Sequence, residues 1–150
     1  MMYLTDLKFM ALEQNALTGP IPEWIGELTH IKFMALGGNK LTGTIPDSMA
    51  SLTWLTELSL ESNKLQGDIT ILETVPTLKR LFLGNNQFEG KVDHYFLGNL
   101  TDLQELDLSS NQFQGTFPHH FFNYEILDIH DNSKSTRHQA LRRILWNPSS

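Results

Sequence analysis

Asparagine recurs along this chain like a metronome. Asn15, Asn39, Asn63, Asn86, Asn111 and Asn132 follow one another at intervals of 24, 24, 23, 25 and 21 residues. Around each lies the same pattern. Leu4 to Asn15 aligns with Leu28 to Asn39 and with Leu52 to Asn63, the series continues at 75–86 and 100–111, and Phe121 to Asn132 is a shortened sixth copy. A fixed period of this length marks a solenoid, because one two-dozen-residue unit cannot bury its own apolar side and must be covered by the next. Alternating apolar residues such as Met10 and Leu12, or Leu58 and Leu60, place one side of a short strand inward. Stacked copies turn these strands into a parallel sheet, and six of them span about 24 Å at ~4.8 Å each.

The asparagines have a structural reading of their own. An inward Asn at every turn can bond the backbone of the loop that leaves the strand, so the six together form a ladder that satisfies otherwise orphaned buried amides. Gly19, Gly43, Gly67, Gly90 and Gly115 each follow a ladder residue by four positions, where a backbone bend excludes a side chain. Pro22, Pro46 and Pro118 follow an inward Ile or Phe; lacking an N–H, they favour extended or short 3₁₀ structure over a long helix. Thr70 and Asp93 replace this proline in copies three and four, and Phe88 and Phe113 replace a leucine in copies four and five, with the apolar pattern intact.

With these residues in place the sequence resembles the leucine-rich repeat family, in its plant-type subclass, whose consensus is L-x-x-L-x-L-x-x-N-x-L-x-G-x-I-P. Leu7, Met10, Leu12, Asn15, Leu17, Gly19, Ile21 and Pro22 fill it in the first copy, and Ile31, Met34, Leu36, Asn39, Leu41, Gly43, Ile45 and Pro46 in the second. The resemblance implies an α/β-type solenoid, a segment of a right-handed superhelical horseshoe. It has a concave parallel sheet of about six short strands and a convex side of extended and 3₁₀ turns. A repeat domain is expected over 1–132, followed by a basic cap or tail over 133–150. Within that tail Ala140, Leu141, Ile144 and Leu145 share one face of a short helix that Pro148 ends. That helix reads as a cap on the last turn or, through Arg137, Arg142, Arg143 and Trp146, as a membrane-surface or partner-docking helix.

Charge and motif content narrow the function. The body, 1–132, holds 7 Lys/Arg against 17 Asp/Glu, a net −10, and the tail holds 4 basic and no acidic residues, a net +4. An acidic body repels phosphate backbones, which argues against nucleic acid as a partner. No apolar run approaches the ~18 residues of a membrane span, and the absence of cysteine excludes disulfides and thiolate chemistry. Phosphate-loop, nucleophile-elbow, zinc-protease and kinase motifs are absent, and Gly37-Gly38-Asn39-Lys40 contains a ladder asparagine rather than a phosphate loop. No catalytic residue, metal or cofactor is expected. His119, His120, His130 and Asp131 read as solvated polar residues.

The residues available to a partner are the outward positions of the strands. One column reads Phe9, Phe33, Glu57, Arg80, Glu105 and Ile126; the next reads Ala11, Ala35, Ser59, Phe82, Asp107 and Asp128. Exposed aromatics beside a charged zone suit a ligand surface, so Phe9, Phe33, Glu57, Arg80, Phe82, Glu105, Asp107 and Asp128 are the candidate contacts. A purely structural pairing of Phe9 on Phe33 along the sheet accounts for those two equally well. Trp24 and Trp54 stand at positions outside the core pattern, where partial packing on a neighbouring turn is expected. Asn99-Leu100-Thr101 is a glycan acceptor sequence, useful only in a secretory compartment.

The resemblance implies a non-catalytic recognition module for a protein or peptide ligand, like the ectodomain repeats of receptor-like kinases and receptor-like proteins. A chain that starts almost inside its first repeat reads as part of a longer protein, extracellular or membrane-associated. An intracellular scaffold, supported by the absence of cysteine and of a visible signal peptide, is the alternative, as are a secreted enzyme-inhibitor-like repeat protein and a spacer with no ligand.

Overall fold

A computed structural model describes residues 4–115, 126–129 and 132. Eleven strands, among these residues, alternate between two parallel sheets. In chain order they are β1 (Phe9–Ala11), β2 (Thr18–Pro20), β3 (Phe33–Ala35), β4 (Lys40–Gly43), β5 (Glu57–Ser59) and β6 (Lys64–Gly67). They continue with β7 (Arg80–Phe82), β8 (Gln87–Lys91), β9 (Glu105–Asp107), β10 (Gln112–Gln114) and β11 (Ile126–Asp128). Odd-numbered strands form the six-stranded concave sheet in the order β1-β3-β5-β7-β9-β11. Even-numbered strands form a second, five-stranded sheet, β2-β4-β6-β8-β10. The strictly parallel, sequential order is what identical stacked coils must produce.

The interior follows the pattern of the repeat. Met34, Leu58, Leu81 and Leu106 are fully buried, as are Leu60 and Leu83, with Leu36 and Leu108 nearly so. Each such side chain contributes roughly 1.5–3 kcal/mol by leaving water. Phe88 and Phe113 keep the spine continuous where they replace leucine, their rings stacked with centroids 6.4 Å apart. The first coil departs from this pattern. Leu12 is 41% exposed although its equivalents are buried, because no described coil lies on its outer side.

The asparagines bond as rungs between coils. Asn39 Nδ2 donates to the carbonyls of Leu12 and Leu36, both at 2.9 Å, and its Oδ1 accepts from the Leu17 amide at 3.0 Å. Asn63, Asn86, Asn111 and Asn132 repeat the arrangement, accepting from the amides of Leu41, Leu65, Phe88 and Phe113. Asn15 reaches only carbonyls of its own coil, those of Leu12 and Glu13. The residue before the rung takes a left-handed conformation, with φ of 54° at Gln14, 55° at Ser62 and Asn85, and 51° at Ser110. This turn aims the asparagine inward, and the rung's bonds offset the ~1 kcal/mol such a backbone costs a residue with a Cβ.

The back of the coil is where the molecule differs from expectation. Short 3₁₀ helices occupy Glu23–Glu27, Asp47–Ser51 and Thr70–Thr74, but the fourth coil carries an α-helix, α1 (His94–Asn99). The interval from the turn glycine to the next strand's first leucine explains it. Gly19 to Ile31 and Gly43 to Leu55 are 12 positions, Gly67 to Leu78 is 11, and Gly90 to Leu103 is 13. The longest interval accommodates the wider α turn of ~3.6 residues in place of ~3.0. Asp93, where the first two coils have proline, caps that helix by accepting from the amides of Tyr95 at 2.9 Å and Phe96 at 3.4 Å. The second sheet refines the expectation of merely extended turns. The proposed C-terminal helix over 133–150, together with His119, His120, His130 and Asp131, lies outside the described residues.

Candidate functional site

Pairing along the six-stranded sheet converts the sequence columns into rows of neighbouring side chains. Phe9, Phe33, Glu57, Arg80 and Glu105 stand in register across β1, β3, β5, β7 and β9, and the backbone of Ile126 on β11 pairs with Glu105. Ala11, Ala35, Ser59, Phe82, Asp107 and Asp128 form the parallel row two residues further along each strand. Because alternate residues of a strand face opposite sides, both rows share the outward face while Met10, Met34 and Leu58 face the core.

The rows divide into three zones. At the β1 end Phe9 is 67% exposed, and its ring lies 6.4 Å from that of half-buried Phe33, tilted by 37°. A cross-strand aromatic pair of this geometry contributes ~0.5–1.5 kcal/mol, yet it leaves most of Phe9 in water. The aromatic pairing and an open apolar surface are therefore both present. In the middle Glu57 and Arg80 form an ion pair, and the Glu57 side chain is only 13% exposed, so these two candidate contacts neutralise each other. At the far end the acidic residues Glu105, Asp107 and Asp128 stand on the adjoining strands β9 and β11, beside half-buried Phe82 on β7.

Glycines in the loops that leave the strands shape this surface, and the sequence pattern alone does not single them out. A Cβ on Gly84 would lie 2.7 Å from Asp107 Oδ2 and 2.9 Å from Ser109 Oγ. The bare backbone thus lets the Asp107 carboxylate lie over the neighbouring coil, where it also accepts from the Ser109 amide at 2.8 Å. Gly37 does the same for Glu61: a Cβ there would approach its carboxylate to 3.0 Å. Glu61 in turn accepts from the Ser59 hydroxyl at 2.6 Å, which fixes a further outward carboxylate. The signal for both was a glycine at a loop position where other copies carry Glu or Ser.

Trp54 is 56% exposed and receives the Lys32 ammonium over its ring at 5.4 Å, a cation–π contact at the margin of the sheet. Trp24, 54% exposed, lies on the first 3₁₀ helix, away from the strand rows. Asn99 is exposed at the end of α1, where its Nδ2 donates to Glu73 at 3.1 Å. Among the described residues no three His, Asp or Glu side chains converge as a metal site, and no helix is long and apolar enough to cross a membrane.

Comparison with known proteins agrees with this architecture. The leucine-rich repeat profile of two copies matches residues 76–119, and a single-repeat profile matches 51–69. No curated protein is matched. Among solved structures, the ectodomain of the Arabidopsis thaliana receptor kinase SOBIR1 superposes with a TM-score of 0.77 at 29% identity, covering 83% of this chain and 70% of that one. The Arabidopsis receptor kinase HAESA, in complex with the peptide hormone IDA and the co-receptor SERK1, gives 0.77 at 29%, covering 85% and 22%. The Arabidopsis thaliana BIR3–SERK2 complex gives 0.69 at 30%, covering 83% and 64%. The chain thus spans under two thirds of the HAESA and BIR3–SERK2 chains it matches. Repeat pattern, asparagine rungs, two parallel sheets and these likenesses together place the chain in the leucine-rich repeat family, in its plant-type subclass.

Proposed function

We propose that this chain is a recognition segment that binds a protein or peptide through the outward face of its six-stranded sheet and performs no chemistry itself. The observation that carries the reading is the row of Phe9 and Phe33, apolar and solvent-facing on a rigid sheet, in line with the acidic residues of β9 and β11. Aromatic anchors held by a scaffold supply binding free energy at little entropic cost. Leucine-rich repeat ectodomains are typically non-enzymatic recognition modules, and two of the similar structures are complexes, one with a peptide hormone and a co-receptor. An open face of this kind also lacks the enclosure that tunes a catalytic carboxylate. By the same likeness the chain is a segment of a longer, receptor-like protein, extracellular or membrane-associated.

The test is selection of binders from a displayed library of random dodecapeptides, followed by Phe33→Ala and Phe82→Ala variants of this chain. Selected peptides should lose about tenfold or more in affinity, ~1.4 kcal/mol, for at least one variant. Binders indifferent to both variants would refute the face as the recognition surface.

A further inference from the structure

The back of the solenoid opens between its second and third coils. Gly26 lets the first two 3₁₀ helices touch, since a Cβ there would lie 2.4 Å from Ser48 O. The equivalent residue of the second helix is Ala50, and the third helix, Thr70–Thr74, packs less closely against it. The third coil also has Thr70 where the first two have proline, and its back is one position shorter. Proline keeps the residue ahead of it extended. Freed of that constraint, Ile69 takes ψ of 15° and leads straight into its helix, whereas Pro22 and Pro46 lead into theirs with ψ of 149° and 145°. The result is an open cleft of about 480 Å³, within the ~300–1,000 Å³ of small-molecule sites.

The side chains that line this cleft are rich in acceptors. Asp68 Oδ1 accepts from the Thr70 amide at 3.0 Å and from the Thr70 hydroxyl, and the Thr74 hydroxyl donates to Ile71 O at 2.7 Å. Thr70 and Thr74 have thus committed their protons, and their oxygens are left as acceptors. Asp68 Oδ2 and the Asp47 carboxylate take no bond among the described residues, and Thr44 adds a third hydroxyl. Half-buried Ile71 and the edge of buried Ile45 form an apolar wall, and no basic side chain lines the cleft among the described residues. Acceptors beside an apolar wall suit a ligand with several adjacent O–H donors and a C–H face. The two carboxylates repel anions, while a compact cation would leave the threonine oxygens without donors. We propose that this cleft binds a neutral sugar, its hydroxyls donating to Asp47, Asp68 Oδ2 and the threonine oxygens and one ring face resting on Ile71. The site lies between the 3₁₀ helices, apart from the outward rows of the six-stranded sheet, so it stands or falls separately from the recognition reading.

The experiment titrates the full chain with neutral disaccharides of glucose, galactose, mannose and xylose, with the acidic disaccharide digalacturonic acid, and with putrescine, while amide resonances are followed by NMR. At least one neutral disaccharide should bind with a Kd of about 10 mM or below and shift amides of residues 44–47 and 67–74. Digalacturonic acid and putrescine should bind at least about tenfold more weakly. Asp47→Ala and Thr44→Val, both at exposed positions without side-chain bonds, should each weaken the sugar about fivefold or more, whereas Asp102→Ala, outside the cleft, should not. Far-ultraviolet circular dichroism establishes that each variant is folded. Putrescine binding as tightly as the sugars would make the cleft an ammonium site and overturn the proposal, as would equal binding of digalacturonic acid. Shifts confined to the six-stranded sheet, or affinity indifferent to both cleft variants, overturn it as well. So does the absence of binding by every neutral disaccharide at about 50 mM.

Discussion

Replacing Asn63 by Ala isolates what a rung contributes. The change removes an acceptor that the Leu41 amide uses at 2.9 Å and a donor group that serves Leu36 O at 3.1 Å and Leu60 O at 3.0 Å. Two of these three bonds cross to the preceding coil. At roughly 0.5–1.5 kcal/mol net for each bond, the loss is about 3 kcal/mol. That is a large part of the ~5–15 kcal/mol by which domains are stable. It corresponds to a fall in Tm of ~6–12 °C at ~2–4 °C per kcal/mol for chains of this size. Asn15→Ala is the internal control. Asn15 makes two bonds, each 3.0 Å, to its own exposed coil, where water can replace them, so it should cost about 0.5 kcal/mol. Urea unfolding followed by circular dichroism measures both, and equal m-values license the comparison. If the two variants differ by less than about 1 kcal/mol, the claim that bonds between coils carry the rung is wrong.

Four further outcomes follow from the same structure. Gly26→Ala should destabilise by about 1–3 kcal/mol, because its Cβ would meet Ser48 O at 2.4 Å and Ser48 Cβ at 2.6 Å. Gly98→Ala, with open space at its Cβ, should instead stabilise α1 by up to ~1 kcal/mol; thermal melts of the pair give the sign of each. Hydrogen bonds from the Thr70 hydroxyl and amide hold the Asp68 carboxyl below its ordinary 3.8. A depressed folded-state value means the stabilisation is present above 3.8 and is lost as pH falls through the depressed value. Wild type should therefore lose its advantage over Thr70→Val in acid, and a pH-independent difference between their Tm values would count against this account. Finally, secretion of the chain from a eukaryotic host should add a glycan at exposed Asn99, visible as a mass shift that peptide N-glycosidase removes and Asn99→Gln prevents. An unshifted mass would argue against acceptance at this site.

The concave sheet was legible because its signal is periodic: Met34, Leu58, Leu81 and Leu106 recur at one position and are buried for one reason. The outward rows followed from the same period and from strand alternation. The second sheet was harder to read. Strand β2 is Thr-Gly-Pro, two residues of which disfavour strands, and it is held by pairing with β4 rather than by its own propensity. Helix α1 depended on an interval of 13 positions where the other coils have 11 or 12. The Glu57–Arg80 pairing required knowing that adjacent copies place opposite charges side by side, and the placement of Asp107 required knowing how closely Gly84 lets it approach. Exposure of Leu12 is a property of its surroundings, since its sequence context matches that of Leu36.

The arithmetic of the intervals has a further consequence. From the first leucine of the strand to the rung is eight positions in each of the five full copies, and from the rung to the glycine it is four. All variation in copy length between complete repeats falls behind the glycine, where a tight turn or a wider one absorbs it. One side of the molecule therefore works as a fixed gauge while the other takes up slack. Substitutions can rewrite the gauge side one notch at a time without disturbing its alignment, even as the back gains or sheds a residue.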